Sequence, residues 1–599
     1  MYILGISCFY HESAACLIKD GVVVAASAEE RFSRKKHDNA YPEGAVAFCL
    51  RQAGIKTKEL SYIVFYEKPF LKFHRILMSV FATYPWSLGL FTHAMTSWFS
   101  EKLWVRSILM DKLDVGSGKI LFTAHHLSHA AASFYPSGFT KAAILTVDGA
   151  GEWSTTAFGV GAGNTITLTK EQRFPHSLGL LYSAFTAFLG FEVNDGEYKV
   201  MGMASYGKPK YVSQVKKLID IYPDGSFSLH MDYFTFHRSA DIAYGNKFTD
   251  LFGPPRPCDM HFFTRRSRYP AYFGPKPSNY PELCRRNQRY ADIAASIQAV
   301  TEEMLIGMAN TLYKETKLDN LVIGGGVALN SVANTAILQK TPFKRLFVQP
   351  AAGDDGGAFG AALYVYHALL GNKRTWRQNT AYFGDKFTDD QIVSTLKKHH
   401  ISFTKIESER RLVSYIVDAL TADKVIGFFH GSAEWGPRAL GARSILASPR
   451  NGKMKDIVNV RIKFREPYRP FAPVVLASKI KIYFDTGRKD YTNLANFMLG
   501  VFPVRKEMRR VIPAVTHVDG SARPQIITRK QNALYFDIVK RFGDKTGVYV
   551  LLNTSFNLRG EPIVNSPEDA IATFIGSGLD LLIIEHYVVR KEDIPPSAL

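Results

Sequence analysis

The sequence is poor in cysteine and in acidic residues. Five cysteines occur among 599 residues, and no two of them form a CxxC pair. We therefore expect neither a disulfide framework nor a cysteine-type zinc site, and a reducing cytoplasm fits the composition. Asp and Glu number 54 against 74 Lys and Arg, which gives a net charge of +20. This surplus favours anionic partners, namely nucleotides, phosphates, nucleic acid or an anionic surface, without choosing among them.

The chain also lacks a clean membrane span and a recognisable signal peptide. It opens with strand-like residues and has no basic segment ahead of them, so we expect no cleaved leader. The most apolar stretch, 79–100, is interrupted by Pro85, His93 and several hydroxyl residues, which predicts buried or interface helices and no membrane partner. The same apolar stretch suggests a homodimer.

The overall composition is that of a globular protein. Hydrophobic residues make up 46% of the chain and charged residues 21%, which excludes wholesale disorder and a coiled coil. At about 150 residues per domain, the length predicts two to four domains.

A strand pattern near the start of the chain occurs twice. Strands are predicted at 2–7, 14–18 and 22–28, with a polar loop after the first and an Asp-Gly turn between the others. Strands at 142–147, 154–160 and 165–170 repeat this plan around the loop DGAGEW. An internal repeat of this kind favours a duplicated α/β domain of the actin and sugar-kinase type, in which each first loop approaches nucleotide phosphates.

Two glycine-rich loops follow predicted strands further along the chain. In NLVIGGGVALN, a buried strand runs through Gly325 into a helix, and glycines allow close approach of a ligand to the backbone. In RLFVQPAAGDDGGAFGAA, Asp354 lies in the loop at the carboxyl end of a strand, the edge where α/β sheets usually bind ligands.

A candidate metal site begins with the segment HHLSHA. His125 and His129 are four residues apart, so on a helix both imidazoles occupy one face. Asp148 follows in one glycine-rich loop and Asp354 in another. Two histidines with two carboxylates suit non-haem Fe(II), zinc or manganese, and the sequence does not choose among them. We predict His125, His129, Asp148 and Asp354 as the ligands.

The second half of the chain is predicted to be a separate domain. Residues 372–390 are polar and turn-rich, which indicates a linker between a first domain at 1–371 and a second at 391–599. In NVRIKFREPYRP, Arg461, Lys463 and Arg465 alternate, which would place all three on one side of a strand. Such a row of cations suits phosphate or triphosphate binding.

The motifs HHLSHA, TVDGAGE, EYKVMGMASYG, GGGVALN and AAGDDGGAFGAA together resemble the O-carbamoyltransferase family. This family includes the nodulation-factor, cephamycin, novobiocin, tobramycin and saxitoxin enzymes, and the resemblance runs nearly end to end. It implies an actin/sugar-kinase-like metal-containing domain followed by a YrdC-like α/β domain. It also implies ATP-dependent formation of carbamoyl adenylate from carbamoyl phosphate, with Mg²⁺ accompanying ATP, and transfer to a hydroxyl of a small-molecule acceptor in natural product biosynthesis.

The resemblance implies roles for individual residues. His11 is the candidate catalytic base, although this chain has Glu12 where the family usually has Asp. Candidate contacts to the nucleotide or intermediate are Lys36, Asp148, Gly325, Asn330 and Asp354. Candidate contacts to carbamoyl phosphate and ATP in the second domain are Arg438, Arg443, Lys463, Arg465, Arg523, Ser555 and Asn557.

Three other functions compete with this interpretation. A tRNA threonylcarbamoyladenosine-type enzyme would use the positive charge, but no extended Lys/Arg tract is present, so nucleic acid is not expected as a partner. A hydrogenase maturation enzyme would carry CxxC zinc modules ahead of these domains, and none is expected here. The third is a non-enzymatic nucleotide-binding regulator, which would have no carbamoyl transfer activity. Substituting His125 or Lys463 with Ala would separate the two cases, because only an enzyme has such activity to lose.

Overall fold

The computed structural model describes residues 1–239, 241–258, 260–267 and 269–594. The chain forms two compact units. The first contains Met1–Glu29, His37–Thr264 and Asn279–Gln378, and the second contains Glu30–Lys36, Arg265–Ser278 and the chain from Asn379 onward. A short amino-terminal segment, 30–36, therefore packs as part of the second unit.

Two five-stranded sheets form the framework of the first unit. The strands of the first sheet are Tyr2–Ser7 (β1), Ala14–Lys19 (β2), Val22–Ala28 (β3), Leu60–Phe65 (β4) and Ile120–Phe122 (β5). The chain continues with Lys141–Val147 (β6), Ser154–Ala162 (β7), Thr165–Arg173 (β8), Ile219–Ile221 (β9), Phe227–Leu229 (β10), Asn320–Gly324 (β11) and Arg345–Val348 (β12). The second sheet uses β6, β7, β8, β11 and β12, while β9 and β10 form a separate hairpin.

The two sheets have the same topology. The first has the order β3-β2-β1-β4-β5 and the second, from its hairpin edge, the order β8-β7-β6-β11-β12. In each sheet the first strand pairs antiparallel with the hairpin strand that follows it and parallel with a later strand. The predicted duplication is confirmed. Its apolar strands are buried because helices cover them; β1, for example, contacts the helix Asp354–Tyr364.

Thirteen described α-helices precede residue 371. The first of them, α1, lies in the segment 30–36 of the second unit, and the others belong to the first unit. In chain order the helices are Glu30–Ser33 (α1), Glu43–Ala53 (α2), Pro69–Ala82 (α3), Leu88–Ser97 (α4), Val105–Leu113 (α5), His125–Phe134 (α6), Leu178–Phe188 (α7), Glu197–Ala204 (α8), Val212–Lys216 (α9), Asn246–Phe252 (α10), Tyr280–Thr316 (α11), Ser331–Lys340 (α12) and Asp354–Tyr364 (α13). Helices α6 and α13 cross closely at Gly360, where a Cβ atom would overlap the carbonyl oxygen of Ser128.

An eight-stranded mixed sheet organises the second unit. Its strands are Thr404–Lys405 (β13), Ile426–Phe429 (β14), Arg443–Ala447 (β15), Ala472–Leu476 (β16), Gln525–Ile527 (β19), Val550–Ser555 (β20), Leu581–Ile584 (β21) and Tyr587–Arg590 (β22). Two short strands, Phe502–Pro503 (β17) and Ser521–Ala522 (β18), form a separate pair. Their order is β13-β22-β21-β14-β15-β20-β16-β19. The helices are Asp389–Lys398 (α14), Glu409–Thr421 (α15), Met454–Ile457 (α16), Ile480–Tyr483 (α17), Thr492–Asn496 (α18), Ala533–Thr546 (α19) and Pro567–Ile575 (α20).

The predicted fold class, a duplicated actin/sugar-kinase-like α/β domain followed by a second α/β domain, is confirmed by these two sheet systems.

Candidate functional site

Four side chains of the first unit converge on one point. His125 and His129 lie one turn apart on α6, and their Nε2 atoms are 3.1 Å apart. Asp148 Oδ2 is 2.9 Å from His125 Nε2 and 3.8 Å from His129 Nε2. Asp354 Oδ1 is 3.7 Å and 3.6 Å from the same two nitrogens. One ligand atom from each of the four residues lies within 4.8 Å of the others.

Local structure holds both carboxylates in place. Asp148 directly follows β6, and its Oδ1 accepts a 2.9 Å hydrogen bond from the Gly326 amide. Gly325 permits this approach, because its φ is +89° and a Cβ there would overlap the Val147 carbonyl. Asp354 is the first residue of α13, and its Oδ2 accepts a hydrogen bond from the Tyr66 hydroxyl at 3.3 Å.

The donor set fits a divalent cation. With metal–ligand bonds of about 2.1 Å, neighbouring ligand atoms around one ion lie about 3.0–3.4 Å apart, close to the observed spacings. Burial disfavours every charge here, but the electrostatic pairing outweighs it. Asp354 and Asp148 raise the pKa of His125 well above its usual value, and the two imidazoles hold the pKa of Asp148 well below its usual range and lower that of Asp354 to about 2. The group could therefore hold a metal ion.

Further polar groups surround His125. Its Nδ1 lies 3.3 Å from Glu67 Oε2, and that carboxylate also accepts a 2.8 Å hydrogen bond from Lys72 Nζ. The His125 amide, at the start of α6, donates to Glu152 Oε1 at 2.9 Å. His126, the next residue along α6, contacts Thr146 Oγ1 and the Ser154 carbonyl.

His11 belongs to a second group, with Glu12 and His37, whose ligand atoms also lie within 4.8 Å of one another. The His11 and His37 rings meet edge to face at 5.3 Å. His37 lies between two carboxylates, with Nδ1 3.0 Å from Glu12 Oε1 and Nε2 3.1 Å from Asp195 Oδ1. His11 is thus a half-buried imidazole beside a hydrogen-bonded chain formed by Glu12, His37 and Asp195.

Two other predicted contacts lie elsewhere. Asn330 caps α12, accepting from the Ala333 amide, and donates to Gln298 Oε1 at 3.0 Å. Lys36 lies in the segment 30–36, which packs with the second unit. Neither side chain is part of the His125 or His11 group, and their roles toward a nucleotide stay predictions.

Cations crowd together in the second unit. Burial first, and then the neighbouring Arg438, Arg465 and Arg469, lower the pKa of Arg523 well below its usual value. Burial together with Arg465 and Arg469 does the same to Lys463. Several positive groups so close to one another are stabilised by a multiply charged anion.

Lys463 lies at the centre of hydrogen bonds to the segment after β20. Its Nζ donates to Ser555 Oγ at 3.1 Å and to the Asn557 carbonyl at 3.0 Å, and it also contacts Asn557 Oδ1. Ser555 Oγ donates to Asn557 Oδ1 at 2.8 Å. The structure therefore brings together Lys463, Ser555 and Asn557.

The predicted strand over the basic run is wrong. Residues Val458–Ile462 form a π-helical turn that extends α16, and the Lys463 amide donates to the Val458 carbonyl. Because the backbone is helical, the alternation does not place the three cations on one side: Arg461 is exposed and Lys463 is buried. Asn557 lies two residues beyond the end of β20.

Arg443 cross-links the backbone of the second unit. It is fully buried, and its guanidinium stacks on Phe429 at 3.5 Å. It donates to backbone carbonyls of His430, Gly431, Ala442, Asp385 and Asn565. Glu434 fixes the same loop by accepting from the amides of Leu440, Ala442 and Arg443. A role for Arg443 in anion binding stays a prediction.

Comparison with known proteins identifies the family. The model for the carbamoyltransferase N-terminus matches residues 2–363, and that for the carbamoyltransferase C-terminus matches residues 417–591. The chain belongs to the carbamoyltransferase family. It is accordingly a carbamoyltransferase enzyme, as the sequence motifs predicted.

This carbamoyltransferase is similar to several curated proteins. It is 33% identical to nodulation protein NolNO of Sinorhizobium fredii, over 98% of this chain and 80% of that one. It is 34% identical to nodulation protein NolO of Bradyrhizobium diazoefficiens, over 78% of each. An uncharacterised protein of Synechocystis is 44% identical over 99% of this chain and 97% of its own length. Among solved structures, T. kodakarensis HypF aligns with a TM-score of 0.30 and 13% identity, over 62% of this chain and 48% of that one.

Sequence reasoning missed several residues around the carbamoyltransferase site. Glu67 and Lys72 were not predicted, although Glu67 closely follows β4, at the sheet edge where such residues gather. The contacts of His37 with Glu12 and Asp195 join positions up to 158 residues apart, so no local pattern indicates them.

Proposed function

We propose that this carbamoyltransferase is an ATP-dependent O-carbamoyltransferase. It forms carbamoyl adenylate from carbamoyl phosphate and ATP in the second unit, and transfers the carbamoyl group to a hydroxyl of a small-molecule acceptor in the first unit. The observation that carries the proposal is the crowd of cations around Lys463 and Arg523. A chain that only transferred a preformed carbamoyl group would have no need of it.

The first step requires the neutralisation of many phosphate oxygens. Cleavage of carbamoyl phosphate by water releases phosphate and leaves carbamate, and a carbamate oxygen then displaces pyrophosphate from the α-phosphorus of ATP. One carbamoyl phosphate, one ATP and one water thus give carbamoyl adenylate, phosphate and pyrophosphate. Lys463, Arg523 and the neighbouring guanidinium groups would stabilise the charge that develops on the departing groups. Mg²⁺ would accompany ATP.

In the second step an acceptor hydroxyl attacks the carbamoyl carbon, and AMP leaves. His11 would accept the hydroxyl proton through a free imidazole nitrogen, and a positioned base contributes about 10²–10⁴-fold. Asp195 and Glu12 would keep the neighbouring His37 ring in place beside it.

We propose that His125, His129, Asp148 and Asp354 hold Fe(II) or another divalent metal. When bound, such a cation would neutralise the adenylate phosphate and polarise the carbamoyl carbonyl. Tyr66 and the Gly326 amide would orient the two carboxylates for this task through their hydrogen bonds.

The test is product analysis with matched variants. The purified protein should release pyrophosphate and phosphate in equal amounts only when carbamoyl phosphate and ATP are both present. Mass spectrometry of a panel of hydroxylated acceptors should then show a carbamoyl mass gain.

Two variants and one control make this test specific. Lys463→Met and Arg523→Gln should each lower pyrophosphate release at least about 100-fold. Lys540→Met should not, because Lys540 is an exposed lysine of the same unit that pairs with Asp544. Carbamoyl transfer without ATP consumption would refute the adenylate step.

A further inference from the structure

A cleft of about 500 Å³ lies on the first unit, between helix α11 and the loop that leads into α9. Helix α11 contributes Arg285 and Arg289 to its wall, and the loop contributes Lys210 and Tyr211. A volume of this size suits a small molecule, since ligand pockets typically occupy about 300–1,000 Å³. None of the predicted site residues lines this cleft.

The two segments that form the cleft carry an excess of positive charge. Residues 206–217 contain four Lys and no acid. Residues 281–292 contain three Arg against two acids, Glu282 and Asp292. Seven cations against two acids leave an excess of five positive charges, and this imbalance favours an anionic ligand.

The two acids do not neutralise this charge. Asp292 is buried, and its Oδ2 lies 2.8 Å from Lys210 Nζ. Its Oδ1 accepts hydrogen bonds from the Lys208 amide at 2.9 Å and from Gln288 Nε2 at 2.8 Å. Both oxygens of the carboxylate in the cleft are therefore engaged. Glu282, near the start of α11, is exposed and forms no ion pair within the described part of the chain.

The two arginines of the cleft have donor capacity to spare. Arg285 and Arg289 are four residues apart on α11, so their guanidinium groups occupy one face of the helix and repel each other. Neither forms an ion pair with a described carboxylate. Arg289 Nη2 donates to the Pro254 carbonyl at 2.6 Å, but its Nε is buried and has no hydrogen-bond partner among the described residues. A phosphate group would satisfy both arginines, because its oxygens accept several charge-assisted hydrogen bonds at once.

The α9 side of the cleft adds neutral donors. Gln214 Oε1 accepts from Ser213 Oγ at 2.8 Å, which leaves the side-chain nitrogen of Gln214 to donate to a ligand. Many donors beside one engaged carboxylate suit a ligand whose oxygens only accept, whereas a neutral sugar would need acceptors as well. The half-buried Tyr211 ring offers apolar surface to the organic part of such a ligand.

We propose that this cleft binds the phosphate or pyrophosphate group of a small molecule, at a site separate from the one that takes carbamoyl phosphate and ATP in the proposed function. Arg285 and Arg289 hold the phosphate oxygens, and Tyr211 packs against the organic part.

Nucleic acids and lipid headgroups also carry phosphate. Both contact proteins over extended surfaces, whereas the two arginines line one concave cleft of small-molecule size. No helix in the described part of the chain has the length and hydropathy needed to span a bilayer.

The test is calorimetric titration of the full-length protein with inorganic pyrophosphate, without carbamoyl phosphate or ATP, so its result does not depend on the proposed function. The variant Lys463→Met should retain one bound equivalent of pyrophosphate. Adding Arg285→Gln or Arg289→Gln to it should lower the affinity of that equivalent at least about tenfold. Lys141→Gln is the matched control, because Lys141 is an exposed cation of the same unit outside the cleft, and it should leave binding unchanged.

Two further measurements guard against misfolding. Without ligand, Arg285→Gln should melt at the same temperature as the unmodified protein or higher, because it removes one of two repelling charges. In the otherwise unmodified protein, Arg285→Gln should also weaken the binding of one equivalent of pyrophosphate.

Three results would overturn the proposal. One is the loss of all pyrophosphate binding in a cooperatively folded Lys463→Met protein. Another is unchanged pyrophosphate affinity in both arginine variants. The third is a short RNA or phosphatidylglycerol vesicles binding to the Lys463→Met protein where pyrophosphate does not, because the positive charge would then serve a macromolecular surface.

Discussion

The substitution Glu67→Gln tests whether the surroundings of His125 contribute to metal binding. Glu67 is completely buried, and its Oε2 lies 3.3 Å from His125 Nδ1 and 2.8 Å from Lys72 Nζ. Burial opposes its ionisation, but Lys72 and His125 outweigh that effect and lower the pKa of Glu67. Glutamine keeps the shape and removes the negative charge, so the variant changes electrostatics more than packing.

Two effects of different size should follow. A carboxylate that orients a ligating imidazole typically contributes about 10–100-fold to metal affinity, which is about 1.4–2.7 kcal/mol. Removing one partner of a buried ion pair typically costs about 3–5 kcal/mol of folding stability, because the remaining charge, here that of Lys72, stays uncompensated. The first effect concerns the metal and the second concerns the fold.

The double variant Glu67→Gln/Lys72→Met separates them. It removes both charges, so its melting temperature without metal should recover most of what Glu67→Gln loses, while its metal affinity should stay about 10–100-fold low. Chelator-stripped protein titrated with Mn²⁺ or, without oxygen, with Fe²⁺ gives the affinity, and calorimetry gives the melting temperature. Unchanged metal affinity in Glu67→Gln, or full recovery of affinity in the double variant, would refute the reasoning.

Three further predictions concern separate parts of the molecule. Asp148→Asn should lower metal affinity at least about 100-fold while leaving pyrophosphate release in the second unit intact; loss of both activities would show that the two steps are not separable. Gly360→Ala should destabilise the first unit by about 1–3 kcal/mol, because its methyl group meets the Ser128 carbonyl, and unchanged thermal unfolding would contradict this crossing. Pyrophosphate should raise the melting temperature of the unmodified protein by relieving repulsion near Arg523, and should do so less in Lys463→Met; equal shifts in both would count against an anion site at Lys463.

Much of the fold could be predicted because local patterns determine it. The strand–loop–strand–turn–strand plan at residues 2–28 and 141–173 is set by short apolar runs and by turn residues such as Asp20-Gly21. The convergence of the four proposed metal ligands could be predicted for a similar reason. HxxxH fixes two imidazoles on one helix face, and Asp148 and Asp354 follow strands of one sheet, so the topology itself brings them together.

The positions of the cationic side chains in the second unit could not be predicted, because they depend on tertiary contacts that residue spacing does not reveal. Arg461, Lys463 and Arg465 alternate as a strand would, but Arg461 lies in the π-helical turn that follows α16, and Lys463 ends that turn in a buried position. Arg443 carries a guanidinium, a group that often binds anions. In this structure that guanidinium donates to backbone carbonyls from three segments of the second unit. In both cases tertiary contacts decide where a flexible cationic side chain points, and the local sequence is compatible with either result.

Helix α3 shows how the site and the surface constrain each other. Glu67 and the neighbouring Phe174 ring draw Lys72 and Arg75 inward, and one helix cannot then bury its opposite face as well. Burial of a large apolar side chain is worth about 1.5–3 kcal/mol, so leaving Phe70, Met78 and Phe81 largely exposed forgoes several kcal/mol of stabilisation. The buried charges beside the proposed metal ligands thus explain why this face of α3 stays exposed.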